Sequence, residues 1–201
     1  MKNIVIAFAI VLFLYSCASK TNDETATPVP VQPEGDTTKL SFFPVTDYLK
    51  GQALLFDSLL VTPRHILTIK EKSDTQYMKR EELKNMLQPF FSPEIGKTNL
   101  IKYYGESKFN DRSLNAITLT YSPVTKVPDS IGLMNWTVYV NPETQKVDKI
   151  YIAKKIKGIA LDTIQQLLWQ TDKFATITTI VTDTTGKSEV LKTEKYIWSP
   201  E

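Results

Sequence analysis

"IQQLLWQTDKFATITTIVT", residues 164–182, carries the architectural signal. Two runs rich in β-branched, aromatic and other apolar residues, 164–170 and 174–182, flank Thr171-Asp172-Lys173. Both runs have the length of strands rather than helices, and the link carries turn chemistry. So short a link joins antiparallel neighbours, because parallel strands need a crossover of roughly a dozen residues or more.

The same period of two extends outward on both sides. Strands are predicted near 106–110, 114–121, 135–141, 147–156 and 189–198. Asn110-Asp111, Asn141-Pro142 and Thr184-Thr185-Gly186-Lys187 supply the turns between them. A meander follows from the short links. Upstream, "PVTDYLKGQALLFDSL" (44–59) reads as a core-facing helix. Thr46 is its expected N-cap, with Tyr48, Gln52, Leu55 and Leu59 on one stripe. "TPRHILTIKE" (62–71) reads as a strand in which Ile66 and Thr68 alternate with His65 and Leu67. "KREELKNMLQPFF" (79–91) reads as a helix burying Leu83, Met86, Leu87 and Phe90, ended or kinked by Pro89. Ser92-Pro93-Glu94 is expected to open a further helical turn. Residues 98–104 fit helix or strand equally. Helices first and strands later predict an α+β domain over 40–201. Its N-terminal helices should pack on one face of an antiparallel meander of about six to seven strands.

The chain has 201 residues and a formal net charge of +2. Removing the first 16 residues takes away Lys2 and leaves +1. So even a balance lacks the cationic excess of a general nucleic-acid binder, and no nucleic acid is expected as a partner. The single cysteine cannot close an intramolecular disulfide. "LTYSP" (119–123) and "YIWSP" (196–200) invite a search for duplication, but the flanking residues do not match beyond chance.

Cys17 follows Lys2 and an apolar run from Ile4 to Leu14, too short to span a bilayer as a helix. Leu14-Tyr15-Ser16-Cys17 resembles the lipobox of bacterial lipoproteins, with Tyr15 where a smaller residue is usual. Relaxed lipoboxes of this kind are similar to those of Bacteroidota lipoproteins. The resemblance implies removal of residues 1–16, acylation of Cys17, and a cell-envelope location, most naturally the outer membrane. It covers about 40 residues and implies no activity. Several acyl chains at roughly 0.8 kcal/mol per buried methylene anchor firmly where one chain does not. Residues 17–39 contain no aromatic and include Pro28, Pro30 and Pro33. Such a segment is expected to be a disordered, extended tether.

Candidate chemistry is sparse. His65 is the only histidine. Metal sites normally need two or more His or Cys ligands, so no metal is expected. A Ser-His-Asp arrangement needs no sequence adjacency and stays open, although no G-x-S-x-G elbow is present. Gly186-Lys187-Ser188 imitates the tail of a phosphate loop, yet Val181 stands where its first glycine belongs. Glu81 and Glu82 project about 100° apart on a helix and do not form an acid pair. No cofactor motif is found. On a strand, "VDKIYIAKKIKG" (147–158) sends Lys149, Tyr151, Lys155 and Lys157 to the face opposite Ile150, Ile152 and Ile156. That row is either a cationic surface for an acidic glycan, lipid headgroup or phosphate, or a lysine-solubilised face. Trp136, Tyr139, Trp169 and Phe174, with Trp198 and Tyr196, either line an apolar pocket or form the core. The possible ligand-facing set is therefore Trp136, Tyr139, Trp169, Phe174, Lys149 and Lys155. Ser58, Ser130, Thr163, Thr184 and Thr37 each follow an aspartate and precede an apolar residue or threonine. These triplets resemble the acceptors of Bacteroidota O-glycosylation.

The favoured reading is a non-catalytic binding or assembly module, tethered to the bilayer through acylated Cys17. Its partner would be an envelope protein, glycan or lipid. A carrier of an apolar ligand and a glycan or peptide hydrolase are the alternatives.

Overall fold

The computed structural model describes residues 41–158, 161–183 and 185–200. Nine strands run through it: β1 (Arg64–Ile69), β2 (Lys72–Tyr77), β3 (Tyr104–Asp111), β4 (Ala116–Pro123), β5 (Leu133–Val140), β6 (Val147–Ile156), β7 (Asp162–Gln170), β8 (Phe174–Thr182) and β9 (Ser188–Ile197). They form one sheet in the order β2-β1-β9-β8-β7-β6-β5-β4-β3, with every pair antiparallel. The seven strands β3 to β9 are a meander, and the β1–β2 hairpin extends it beside β9.

This corrects the expected architecture. The sheet has nine strands rather than six or seven. Instead of a helical layer there are two short α-helices, α1 (Val45–Leu54) and α2 (Arg80–Met86), each followed by a 3₁₀ turn, Leu55–Ser58 and Gln88–Phe91. The strand missed by sequence is β2, "KSDTQY", whose residues are all exposed. An edge strand with solvent on both faces has no reason to alternate apolar with polar side chains, so it emits no period-two signal. Residues 98–103 form turns, and β3 begins at Tyr104.

Local chemistry explains the connections. In the β7–β8 link Asp172 takes a positive φ of 59°, which Asp tolerates better than most residues, and Lys173 N–H donates to Gln170 O at 3.1 Å. In the β5–β6 link the Asn141 side-chain carbonyl accepts the N–H groups of Glu143 and Thr144, both at 2.9 Å. The Asp111 carboxylate does the same for Ser113 and Leu114 after β3.

The N-terminal segment lies over one face of the sheet. Phe42, Val45, Leu49, Phe56, Leu83, Leu87, Phe90 and Ile95 join Tyr121, Trp136, Ile150, Ile152, Leu167, Trp169 and Ile177 in a continuous buried core. Leu55 and Met86, expected inside, are exposed, because each helix ends there and turns away as a 3₁₀ segment. Thr46 does not cap α1. Pro44 holds that position, and Thr46 is fully buried inside the first turn. Its hydroxyl accepts the Ile95 N–H at 2.7 Å, while its own N–H donates to Ile95 O at 3.1 Å. That two-way bond, with Phe42 N–H to Lys97 O at 2.9 Å, holds residues 95–97 extended beside the start of α1. The helical turn expected at Ser92-Pro93-Glu94 is therefore absent, since those backbone groups are committed to another segment. At α2 the Lys79 N–H donates to the Glu82 carboxylate at 2.9 Å, so Glu82 caps the helix.

Candidate functional site: the open face of the sheet

Strand alternation puts two different surfaces on the two sides of the sheet. Under the helical segments lies one row of cross-strand neighbours, Tyr121, Trp136, Ile152, Leu167 and Ile177. One residue along, the partners face the other way. Thr118, Tyr139, Lys149, Gln170, Phe174, Ile197 and Arg64 are successive partners across β4, β5, β6, β7, β8, β9 and β1. Beside them runs a second row, Thr120, Thr137, Tyr151, Leu168, Thr176, Lys195 and Ile66. Most of these residues are half-buried. Neither α-helix gives Tyr139, Lys149, Gln170 or Phe174 a hydrogen bond or ring contact among the described residues.

The sequence-predicted ligand-facing residues therefore separate. Tyr139, Lys149 and Phe174 come together in one row, with Gln170 between Lys149 and Phe174. Lys155 shares their face farther along β6 and is paired with Asp162 at 2.6 Å. Trp136 and Trp169 lie on the covered side and are fully buried. Trp136 stacks on Tyr121 at 4.7 Å and meets Tyr104 at 4.9 Å. Trp169 touches Phe90 at 5.4 Å and Trp198 at 5.0 Å. These rings fill space against one another.

On the open face the cations sit over rings. The Lys149 ammonium lies 4.4 Å from the Tyr139 centroid and that of Lys195 lies 4.3 Å from the Phe174 centroid. Each contact contributes about 0.5–1 kcal/mol at an exposed site and holds the lysine stem flat against the sheet. Tyr151, next to them, has its phenol pushed above the ordinary value by burial. The face thus presents aromatic edges, ammonium groups, a glutamine amide and threonine hydroxyls on a rigid backbone. Such a surface can hold a ligand.

Gln170 and Lys195 escaped the sequence reading. Lys195 shares strand parity with Ile197, and nothing in one sequence says which parity faces out.

His65 lies on the covered side. Its ring stacks on Tyr196 at 4.7 Å with planes 7° apart, and its Nε2 is 3.9 Å from the Glu194 carboxylate, which pairs with Lys192 at 2.7 Å. Tyr196 donates its hydroxyl to the same carboxylate at 3.3 Å. Among the described residues no serine, threonine or cysteine hydrogen-bonds to the His65 ring, so the histidine has an acid beside it but no nucleophile. No group of three or more His, Cys, Asp or Glu side chains that could hold a metal occurs among the described residues. No helix among them is long and apolar enough to cross a membrane.

Ser58 and Ser130 are exposed, the first at the end of a 3₁₀ turn with its hydroxyl donating to Leu55 O at 2.8 Å. Thr163 is half-buried within β7. Residues 1–16, Cys17, the 17–39 segment, Thr37 and Thr184 lie outside the described residues.

Neither a protein-family model, nor a curated protein, nor a solved structure matches this chain.

Proposed function

We propose that this chain is a lipid-anchored binding module of the bacterial cell envelope, taking an extended, negatively charged ligand of the acidic-glycan class on the open face of its sheet. The observation that carries this reading is the row Tyr139–Lys149–Gln170–Phe174, in which four adjacent strands present ring, cation, amide and ring side by side. At about 4.8 Å between strands, the line from Tyr139 across to Arg64 is about 24 Å long. A single headgroup or phosphate would engage only a fraction of it, whereas a chain of sugars matches its length. The rings suit the apolar faces of sugars, and the lysines and hydroxyls suit acidic and hydroxyl substituents. The anchor rests on the resemblance of Leu14-Tyr15-Ser16-Cys17 to a lipobox. Ser58 and Ser130, being exposed, are the acceptors best placed for glycosylation.

The experiment is retardation of the full-length protein in gels containing a uronic-acid polysaccharide or a neutral one. Retardation by the acidic polymer alone is expected, weakening as salt rises. Tyr139→Ala/Lys149→Gln/Phe174→Ala should lower the affinity about tenfold or more, as loss of three such contacts implies. Equal retardation by the neutral polymer, or an unchanged affinity in the triple variant, overturns the assignment.

A further inference from the structure

On the covered side of β6, in line with Ile150 and Ile152, stands Lys154 rather than another apolar residue. It is only 7% exposed. Its ammonium donates to the carbonyl oxygens of Pro89 and, at 2.5 Å, Ser92, in the segment that follows α2. Burial pushes this amine down to about 8 from its ordinary value of 10.5. The neighbouring lysines have carboxylate partners: Lys155 pairs with Asp162 at 2.6 Å and Lys157 with Asp129 at 2.5 Å. Lys154 has none among the described residues. It is a buried cation satisfied by two neutral carbonyls, with a third N–H left over.

A cleft of about 580 Å³ opens at this point, between the 88–93 segment, the 129–132 loop and the end of β6. Lys154, Lys155, Lys157 and the Gln165 amide line it, with Asp129 the one acidic side chain on its walls. Gly132 forms part of the wall at a φ of +63°, where a Cβ would lie 2.7 Å from the Lys155 carbonyl oxygen, so the backbone approaches closely there.

The energetics favour a guest. Withdrawing an ammonium from water costs several kcal/mol, and neutral carbonyls return less than a full counter-charge does. The two ion pairs at the mouth are exposed, so each is worth about 0–1 kcal/mol and is readily exchanged for another anion. A clamp that only tied the 3₁₀ turn to the sheet would need the two carbonyl bonds, but not a cleft with two further cations at its entrance.

The geometry points to this cleft as a binding site for a small anion, a carboxylate or a phosphate, with the Lys154 ammonium as its buried donor and Lys155 and Lys157 at its mouth. Of the open-face lysines only Lys155 reaches this cleft, and it lies outside the Tyr139–Phe174 row, so the two assignments are tested by different variants.

The test is titration of the full-length protein with inorganic phosphate and, separately, with succinate, followed by amide and lysine side-chain NMR. Saturable shifts centred on Lys154, Gly132 and Ser130 are expected for at least one of the two. Phosphate alone assigns the phosphate class, succinate alone the carboxylate class, and both a general anion site. Lys155→Gln/Lys157→Gln should weaken binding about tenfold without changing the thermal midpoint by more than a few degrees. Lys154→Met should abolish it. Because that variant also loses the carbonyl clamp, the double mouth variant and Lys154→Arg, expected to retain binding, decide the matter if Lys154→Met does not fold. Absence of saturable shifts with either anion, shifts centred elsewhere, or an affinity unmoved in the double variant overturns the proposal.

Discussion

Replacing Trp169 with alanine separates a packed core from a ligand pocket. Trp169 is fully buried and lies 6.0 Å from Phe56, 5.4 Å from Phe90 and 5.0 Å from Trp198, centroid to centroid. Its indole N–H has no hydrogen-bond partner, so truncation removes packing and no polar contact. Truncating a buried aromatic of this size costs about 3–5 kcal/mol, the sum of lost transfer energy and the cavity left behind. Against a typical domain stability of about 5–15 kcal/mol, that is about a fifth of the total or more. Trp169→Phe makes the comparison sharper. It creates a smaller void, but it also removes an unpaired buried N–H that costs about 1–3 kcal/mol, so the two effects nearly cancel. Urea denaturation followed by far-ultraviolet circular dichroism measures both variants. The expected result is a fall of several kcal/mol for Trp169→Ala at unchanged m, and a change within about 1 kcal/mol for Trp169→Phe. A loss below about 1 kcal/mol for Trp169→Ala would mean that the ring borders open space, and the packed-core reading would fail. The same outcome would revive an apolar carrier.

Thr46→Val keeps shape and burial but strands the Ile95 N–H, and should cost about 1–3 kcal/mol in the same assay; Thr46→Ser, which keeps the hydroxyl, should cost less. Burial raises the phenols of Tyr104, to about 12, and of Tyr121 and Tyr196 above their ordinary value of 10.0. The folded protein therefore holds protons that the unfolded chain releases, so this stability is complete below pH 10 and is lost as pH rises through the folded values. With three such groups the loss approaches about 4 kcal/mol per pH unit once the unfolded tyrosines are ionised, and the part of the tyrosinate absorbance that belongs to these three should appear together with unfolding rather than before it. Lys154 acts in the opposite sense between about 8 and 10.5, where the unfolded chain holds the proton that the folded one has given up. Cys17→Ala should move the protein from the membrane fraction to the soluble one and remove its acyl mass; a variant that still sediments with membranes and carries lipid would refute the anchor.

How much of this was legible depended on burial. Most of the meander strands announced themselves because one face is covered and the other meets water, which enforces alternation; β3, exposed on both faces over residues 106–110, is the exception. The hairpin links were legible because Asp111, Asn141 and Asp172 use side-chain chemistry that acts within a few residues. The strand β2 was not, since neither of its faces is buried, and the turn at Ser92-Pro93-Glu94 was misread because its fate depends on Thr46, distant in sequence. The candidate site was half visible: Tyr139, Lys149 and Phe174 could be named, but not separated from Trp136 and Trp169.

Local sequence alone set the period-two strands, the turns between them and the resemblance to a lipobox at Cys17, because each is a property of neighbours along the chain. The pairing register decided the rest. One residue of register selects which of two alternating sets meets Phe56 and Phe90 and which meets water. That choice sends Trp169 inward, aligns Tyr139, Lys149, Gln170 and Phe174 on the open face, and buries Lys154 beneath the 88–93 segment. It is fixed by burying the larger apolar area against the helices, a sum over contacts far apart in sequence that no single stretch of the chain contains.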